Sequence, residues 1–181
     1  MSAKKIKYCL GELELKNSVY VSDPCYMPGT WCQAVVDGLK SGKWIGYMNK
    51  KTIKSWGIRV TDLWIVHQDY PNIFPNTILD PAIDIGVDSG AAGIFDYDYY
   101  LKHHDGKLDG KWYDRQFDLR YNYDRDGNKI LSHYENHIEK KDGVEMDGKC
   151  VVSCSGYGDG GYELYAEKSQ GEIIGLRIKF I

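Results

Sequence analysis

The sequence lacks the signals that would assign it to a membrane, a secretory pathway or nucleic acid. No apolar run approaches the roughly 18 residues of a membrane-spanning helix. The five cysteines are an odd number and no apolar stretch follows the basic N-terminus, so we expect free thiols and a cytosolic protein. The net charge is −3 and lysines occur only in short clusters, whereas phosphate binding needs an extended basic surface. We therefore expect no nucleic-acid partner and no membrane partner.

Aromatic residues and glycine are abundant instead. Aromatics make up 13% of the chain, with 15 Tyr and 5 Trp, and there are 20 Gly. Tyrosine suits a half-buried pleated surface and glycine suits tight turns, so this composition favours strands joined by short connections. A length of 181 residues, without a repeat or a linker, predicts a single domain over 1–181.

The apolar pattern predicts a mainly β (α+β) fold, an antiparallel β-sandwich or half-open barrel with two or three short helices. Helices are expected at 31–39 and 112–121 and a helical turn at 98–104, whereas 130–141 fits either a helix or a strand. The last three strands are expected to form a β-meander whose final strand is central in its sheet. Strands are expected over the segments 6–15, 19–21, 43–48, 57–67, 83–87, 150–153, 161–167 and 173–180.

The segment 86–96, GVDSGAAGIFD, crowds small residues between Asp88 and Asp96. Glycine and alanine let a ligand approach the backbone, and exposed amides there hold an anion. The segment lacks the Lys-Ser or Lys-Thr that follows the last glycine of a phosphate loop. A structural alternative stays open, a tight strand-to-helix turn in which Asp88 or Ser89 is the N-cap.

The segment 155–162, SGYGDGGY, places four glycines within six residues. A hairpin turn at Asp159 and Gly160 is one interpretation. The number of glycines exceeds what a hairpin needs, and it predicts close approach by another backbone or by a ligand. In the second interpretation Asp159 projects from a loop stiffened by Tyr157 and Tyr162.

The segment 22–26, SDPCY, supplies a third candidate, although Asp before Pro is also a common turn opener. If the three segments converge, their oxygen-rich side chains suit Mg²⁺, Mn²⁺ or Ca²⁺, with Asp23, Asp88 and Asp159 as the metal ligands. The pair His133 and His137 does not have the zinc-protease spacing. The predicted ligand-binding residues are Asp23, Tyr26, Asp88, Ser89, Asp96, Tyr157, Asp159 and Tyr162.

Four segments together resemble a family of uncharacterised bacterial and phage proteins, usually described only as a domain of unknown function. They are 21–26 (VSDPCY), 86–96 (GVDSGAAGIFD), 112–114 (WYD) and 155–165 (SGYGDGGYELY). The resemblance extends from about residue 21 to residue 180. It implies no established activity. It does imply a bacterial or phage cytosolic setting, and with it an inhibitor or a nucleotide-sequestering protein that acts against host defence.

Three functions are compatible with these features. The first is a protein that binds a small polar ligand in a cleft, where carboxylates accept hydrogen bonds from hydroxyl or amine donors and tyrosines stack on a ring. The second is a metal-dependent hydrolase in which Asp23, Asp88 and Asp159 hold the cation. The third is a protein–protein inhibitor that contacts a host protein through Tyr and Trp, with no small-molecule site.

Overall fold

A computed structural model describes residues 5–121 and 142–181, with side chains for all of these except 117–121. His133, His137 and the ambiguous segment 130–141 lie outside the described residues. The elements are β1 Lys5–Leu15, β2 Ser18–Ser22, β3 Ala34–Asp37, β4 Gly42–Ile53, β5 Gly57–His67, β6 Thr77–Ile78, β7 Asp84–Val87, β8 Ala91–Asp96, α1 Tyr97–His103, α2 Gly110–Tyr121, β9 Gly143–Met146, β10 Cys150–Cys154, β11 Gly160–Ser169 and β12 Glu172–Lys179.

The strands form two antiparallel sheets that pack together without closing into a barrel. Within the described ranges, the larger sheet has the order β1-β4-β5-β12-β11-β6, and β7 pairs with the first residues of β11. The smaller sheet has the order β3-β2-β8-β10-β9. The predicted mainly β fold with two short helices is confirmed, and β12 is interior in its sheet as its apolar sequence predicted.

Two layers of apolar side chains hold the elements together. The main core lies between the sheets and includes Trp44, Leu63 and Val151. A second, aromatic cluster lies between the outer face of the smaller sheet and the helices, where Phe95 packs against Tyr100 and Trp112. Both helices therefore cover the smaller sheet, and the larger sheet has its outer face on the opposite side of the molecule.

The helix predicted over 31–39 is wrong, because β3 occupies part of it and pairs with β2. Ala34 and Val36 enter the core while Val35 is 42% exposed, which is the two-residue alternation of a strand. Pairing with β2 supplies backbone hydrogen bonds together with burial, so tertiary context overrides the helical spacing. The helix predicted at 112–121 and the helical turn predicted at 98–104 are confirmed by α2 and α1.

Two of the loops that carry the chain from one sheet to the other contain residues of the glycine-rich segments. Residues 88–90 connect β7 to β8, and residues 155–159, called the 155–159 crossover below, connect β10 to β11. The two loops lie side by side, since the Ser155 N–H donates to the Gly90 carbonyl at 3.1 Å. The expected three-stranded meander is wrong, because β10 pairs with β8 and β9 and only β11 and β12 form a hairpin.

The crossovers also resolve the open interpretations of two glycine-rich segments. At Gly156, with φ of 66°, a Cβ would lie 3.0 Å from both the Phe180 Cβ and the Val60 carbonyl oxygen, so the predicted close backbone approach is confirmed there. The simple hairpin is wrong. The alternative N-caps in the 86–96 segment are also wrong, since Asp96 caps α1 by accepting the Tyr99 N–H at 3.1 Å.

Gly46 of β4 is where the two sheets approach most tightly, because a Cβ at this position would overlap the Val151 Cγ1 of β10. We expect Gly46→Ala to lower the free energy of unfolding by about 1–3 kcal/mol, as overpacking of cores does. Val151→Ala removes the overlapping methyl group, so the double variant should lose less stability than the two single variants added together. Urea denaturation of the four proteins measures this coupling, and strict additivity would contradict the packing described.

Candidate functional site

The candidate site is organised around the buried carboxylate of Asp23, in the loop that joins β2 to β3 and is called the 22–33 loop below. Its Oδ1 accepts the Cys25 N–H and the Ser89 hydroxyl, each at 2.8 Å. Its Oδ2 accepts the backbone N–H groups of Asp88 at 2.9 Å and Ser89 at 2.7 Å. Asp23 has no exposed surface. Three of the four hydrogen bonds to this buried carboxylate thus fasten the 22–33 loop to residues 88–90, which connect the two sheets.

Helix α1 and the loop's own polar side chains hold the 22–33 loop from the other side. The Tyr100 hydroxyl donates to the Tyr26 carbonyl at 2.5 Å and accepts a hydrogen bond from Gln33 Nε2 at 2.9 Å. The ring of His104 lies against the same loop, with Nε2 3.3 Å from the Pro24 carbonyl oxygen. The backbone of the loop is therefore fixed on two sides, and the side chains that it projects have defined positions.

A cleft of about 480 Å³ lies between the 22–33 loop and the outer face of the β7–β11 pair. Its floor contains Gly86 and Gly161, which lie directly opposite each other on the two strands. The Gly86 N–H donates to the Cys32 carbonyl at 2.8 Å, which joins the loop to the edge of β7. Trp31 lines the cleft and is 92% exposed. The volume lies in the range of small-ligand sites, and Gly161 leaves its peptide group uncovered at the floor, whereas Gly86 is covered by the Cys32 side chain.

Four carboxylates surround the glycine floor. Asp84 lies opposite Glu163 in the register, and Asp88 and Asp159 flank the last residue pair of the ladder. All four residues are exposed. Glu163 accepts a hydrogen bond from the Tyr165 hydroxyl at 2.7 Å, yet none of the four takes part in an ion pair of the described residues. Like charges opposite each other destabilise a strand pair, so this end of the sheet is electrostatically unfavourable by itself.

The protonation states around the cleft favour binding over covalent chemistry. Burial, together with hydrogen bonds to Asp88 and Cys32, raises the pKa of the Tyr26 hydroxyl. Burial and the neighbouring Asp23 raise the pKa of the Cys25 thiol to about 12. Cys25 is thus protonated at neutral pH and is not suited to act as a nucleophile, because the thiolate is the reactive form.

Four predicted site residues of the segments 22–26 and 86–96 are brought together, but in different roles. Tyr26 and Asp88 line the cleft. Asp23 and Ser89 lie behind it, where their polar atoms are used in hydrogen bonds to each other and to the backbone. They shape the cleft without facing it.

The remaining predicted residues are only partly at the site. Asp159 precedes a cleft-lining glycine, and Tyr157 of the same crossover is 47% exposed and packs edge-on against Trp56 at 5.2 Å. The Tyr162 hydroxyl lies 2.6 Å from two carbonyl oxygens of the 155–159 crossover, and its ring is buried, so it stabilises that crossover. Asp96 caps α1 at the opposite end of β8 and does not converge with the other aspartates.

No group of three or more His, Cys, Asp or Glu side chains in residues 5–116 and 142–181 is arranged to hold a metal ion. Of the predicted metal ligands, Asp23 is fully committed to protein donors. Asp88 and Asp159 remain exposed beside the cleft.

Sequence reasoning missed Trp31 and the pair Asp84–Glu163. Trp31 lies in the segment for which the sequence predicts a helix, and no pattern in a single sequence shows that an indole is exposed. The pairing of Asp84 with Glu163 depends on the register of two strands far apart in the chain, and that register is fixed by the buried residues on the inner face.

Comparisons with models of protein families, with curated proteins and with solved structures find no match to this chain. The family resemblance of the four segments therefore stays a prediction. None of the helices in the described ranges has both the length and the hydropathy needed to cross a bilayer.

Asp23→Ala tests the central role of the buried carboxylate. We expect the free energy of unfolding to fall by about 3 kcal/mol or more, because each buried N–H left without an acceptor costs roughly 1–3 kcal/mol. Asp88→Asn is the matched control, since only the backbone of Asp88 is tied to Asp23 and its exposed side chain should matter by no more than about 0.5 kcal/mol. Chemical denaturation of both variants gives the comparison. Equal stabilities would show that Asp23 does not hold the loop.

His104 predicts a pH dependence of stability. Burial lowers the pKa of its ring, although the carbonyls of Tyr100, at 2.8 Å, and Pro24 favour the protonated form. The unfolded chain, with an ordinary pKa of about 6.5, then binds the proton more readily than the native state, so stability is lost as the pH falls below about 6.5. His104→Gln should remove this part of the decrease. Melting temperatures of both proteins between about pH 5 and 8 measure it, and identical profiles would contradict the prediction.

Proposed function

We propose that the protein binds a small polar ligand in the cleft between the 22–33 loop and the β7–β11 pair. The observation that carries the proposal is the indole of Trp31, which is 92% exposed although its loop is fastened by the buried carboxylate of Asp23. A fixed backbone that presents a large apolar ring to solvent is pre-organised for binding, because little ordering entropy remains to be lost.

The lining of the cleft favours a flat ring that carries hydroxyl or amine donors. Gly161 leaves its part of the floor without a side chain and with open space above it, so a planar group can approach the peptide backbone there closely. Trp31 and Tyr26 supply aromatic surface. The carboxylate of Asp88 is an acceptor for hydroxyl or amine groups at the edge of such a ring.

Binding without turnover is the simplest chemistry for this lining. The protonated thiol of Cys25 and the raised pKa of Tyr26 leave both groups unsuited to attack or to proton abstraction at neutral pH. A protein that binds its ligand and does not convert it acts by sequestration. Sequestration is one of the two roles against host defence that the resemblance to phage proteins implies.

Gly161 offers a sharp test, because a Cβ at this position meets no atom within 4 Å. Gly161→Leu should fold normally and fill the floor of the cleft. Gly110→Leu is the matched control, since Gly110 also has open space around its Cβ position and lies at the start of α2, away from the cleft. We expect a nucleoside, nucleotide and amino-sugar panel to contain a compound that binds the wild type and the control, and that binds Gly161→Leu at least about tenfold more weakly, a difference of about 1.4 kcal/mol.

Saturation-transfer NMR and thermal shift detect binding, and chromatography of the same mixtures detects turnover. A Trp31→Ala variant should weaken binding in parallel with Gly161→Leu. Equal affinity of the wild type and Gly161→Leu for every compound that binds would rule out the cleft as the site. If chromatography shows that a bound compound is converted, the protein is a catalyst and does not act by sequestration.

A further inference from the structure

We propose that the group recognised in the cleft is cationic and that a lysine- or arginine-bearing segment of a partner protein presents it. This inference rests on the proposed function, because it assigns a ligand class to the same cleft. Three features carry it: the carboxylates of the β7–β11 face, which form no ion pair with a described residue, the free aromatic ring of Trp31, and the exposed aromatic pair Trp56–Tyr157.

The charge of the face calls for a cationic partner. Asp84 lies opposite Glu163 in the register, and Asp88 and Asp159 are next in sequence to the last residue pair of the ladder, so four carboxylates lie at one end of the sheet. The ion pairs of the described residues include none of them. Other acidic side chains of the molecule do have cationic partners; the buried carboxylate of Asp62, for example, lies 2.8 Å from Lys5 Nζ. A lysine or arginine side chain would supply the missing charge and relieve the repulsion across the strands.

Trp31 is suited to the same group. Elsewhere on the larger sheet, aromatic rings already carry cations, as where Arg177 lies 4.4 Å from the centroid of Phe74 and 4.3 Å from that of Tyr165. No such cation lies over Trp31 among the described side chains. Tryptophan has the strongest attraction for a cation of the three aromatic side chains, and its ring here is open to solvent.

A protein segment fits the extent of the surface better than a free amine does. Tyr157, in the crossover that also supplies Asp159, and Trp56, between β4 and β5, are 47% and 52% exposed and form an edge-on pair. A lone amine in the cleft would leave this aromatic pair in water, whereas the residues flanking a bound lysine or arginine can cover it. Tryptophan and tyrosine are over-represented among residues that dominate protein–protein binding energies.

The segment is expected to bind through its side chains and not as an added strand. The N–H groups on the outer edge of β7 are already used, since Gly86 donates to the Cys32 carbonyl at 2.8 Å and Asp88 donates to Asp23 Oδ2 at 2.9 Å. Strand addition depends on such main-chain donors being free. Recognition therefore depends on the carboxylates and on Trp31.

The test uses fluorescein-labelled seven-residue peptide pools whose central residue is Lys, Arg or Gln, with randomised neutral flanks, and measures fluorescence polarisation with the full-length protein. We expect the Lys or Arg pool to bind about tenfold more tightly than the Gln pool at low salt, and the difference to shrink as salt is added. The double variant Asp84→Asn with Glu163→Gln should lose this preference while its melting temperature stays unchanged or rises. The matched control, Asp105→Asn with Glu12→Gln, changes the net charge equally at exposed positions away from the cleft. This control should keep the preference for the Lys or Arg pool.

The outcomes separate this inference from the proposed function. Loss of the preference in both the double variant and Gly161→Leu, with retention in the control, supports the inference. Equal binding of the Lys, Arg and Gln pools overturns it, as does equal loss in the charge control. If free lysine amide or arginine amide binds as tightly as the peptides, the claim that a protein segment presents the cationic group is wrong. If a neutral compound of the nucleoside panel binds in the cleft while no cationic peptide does, the inference fails and the proposed function stands.

Discussion

The geometry of the cleft depends on one buried carboxylate. Asp23 accepts hydrogen bonds from two segments that are distant in sequence, and both of its oxygens are saturated by protein donors. A buried charge of this kind is tolerated only when its hydrogen bonds are complete, which ties the conformation of the 22–33 loop to the conformation of the first crossover. These hydrogen bonds help to fix the positions of Tyr26, Trp31 and Asp88.

The cleft lies where the chain passes between the sheets. Both crossovers end next to the β7–β11 pair, and the helices cover the opposite side of the molecule. Part of the outer face of the larger sheet is covered, for example where Pro75 and Ile73 pack against Gly175, whose Cβ would lie 2.8 Å from Pro75 Cγ. At β7 and β11 the outward residues Asp84, Gly86 and Glu163 remain open or partly open. This short stretch of sheet face is therefore available, and the 22–33 loop forms its wall.

Much of the fold followed from local patterns, and the site followed only in part. Alternation of apolar residues located most strands, and Asp23, Asp88 and the glycine-rich 155–162 segment were correctly placed near one another. The errors concern interactions between distant segments. The segment 31–39 contains a strand that pairs with β2 instead of the expected helix. The expected meander does not form, because the chain crosses to the other sheet at Gly156. The acidic pair Asp84–Glu163 depends on strand register, and Asp96 was misassigned because its capping role requires the start of α1 to be known.

The tie between the 22–33 loop and the crossover uses the backbone N–H groups of residues 88 and 89 together with one hydroxyl, and not the side chain of Asp88. The scaffold and the recognition surface are consequently separable. Positions 31, 84, 88 and 163 can exchange their side chains without disturbing the carboxylate that fixes the loop. A fold arranged in this way can change the chemistry of its cleft by few substitutions at little thermodynamic cost.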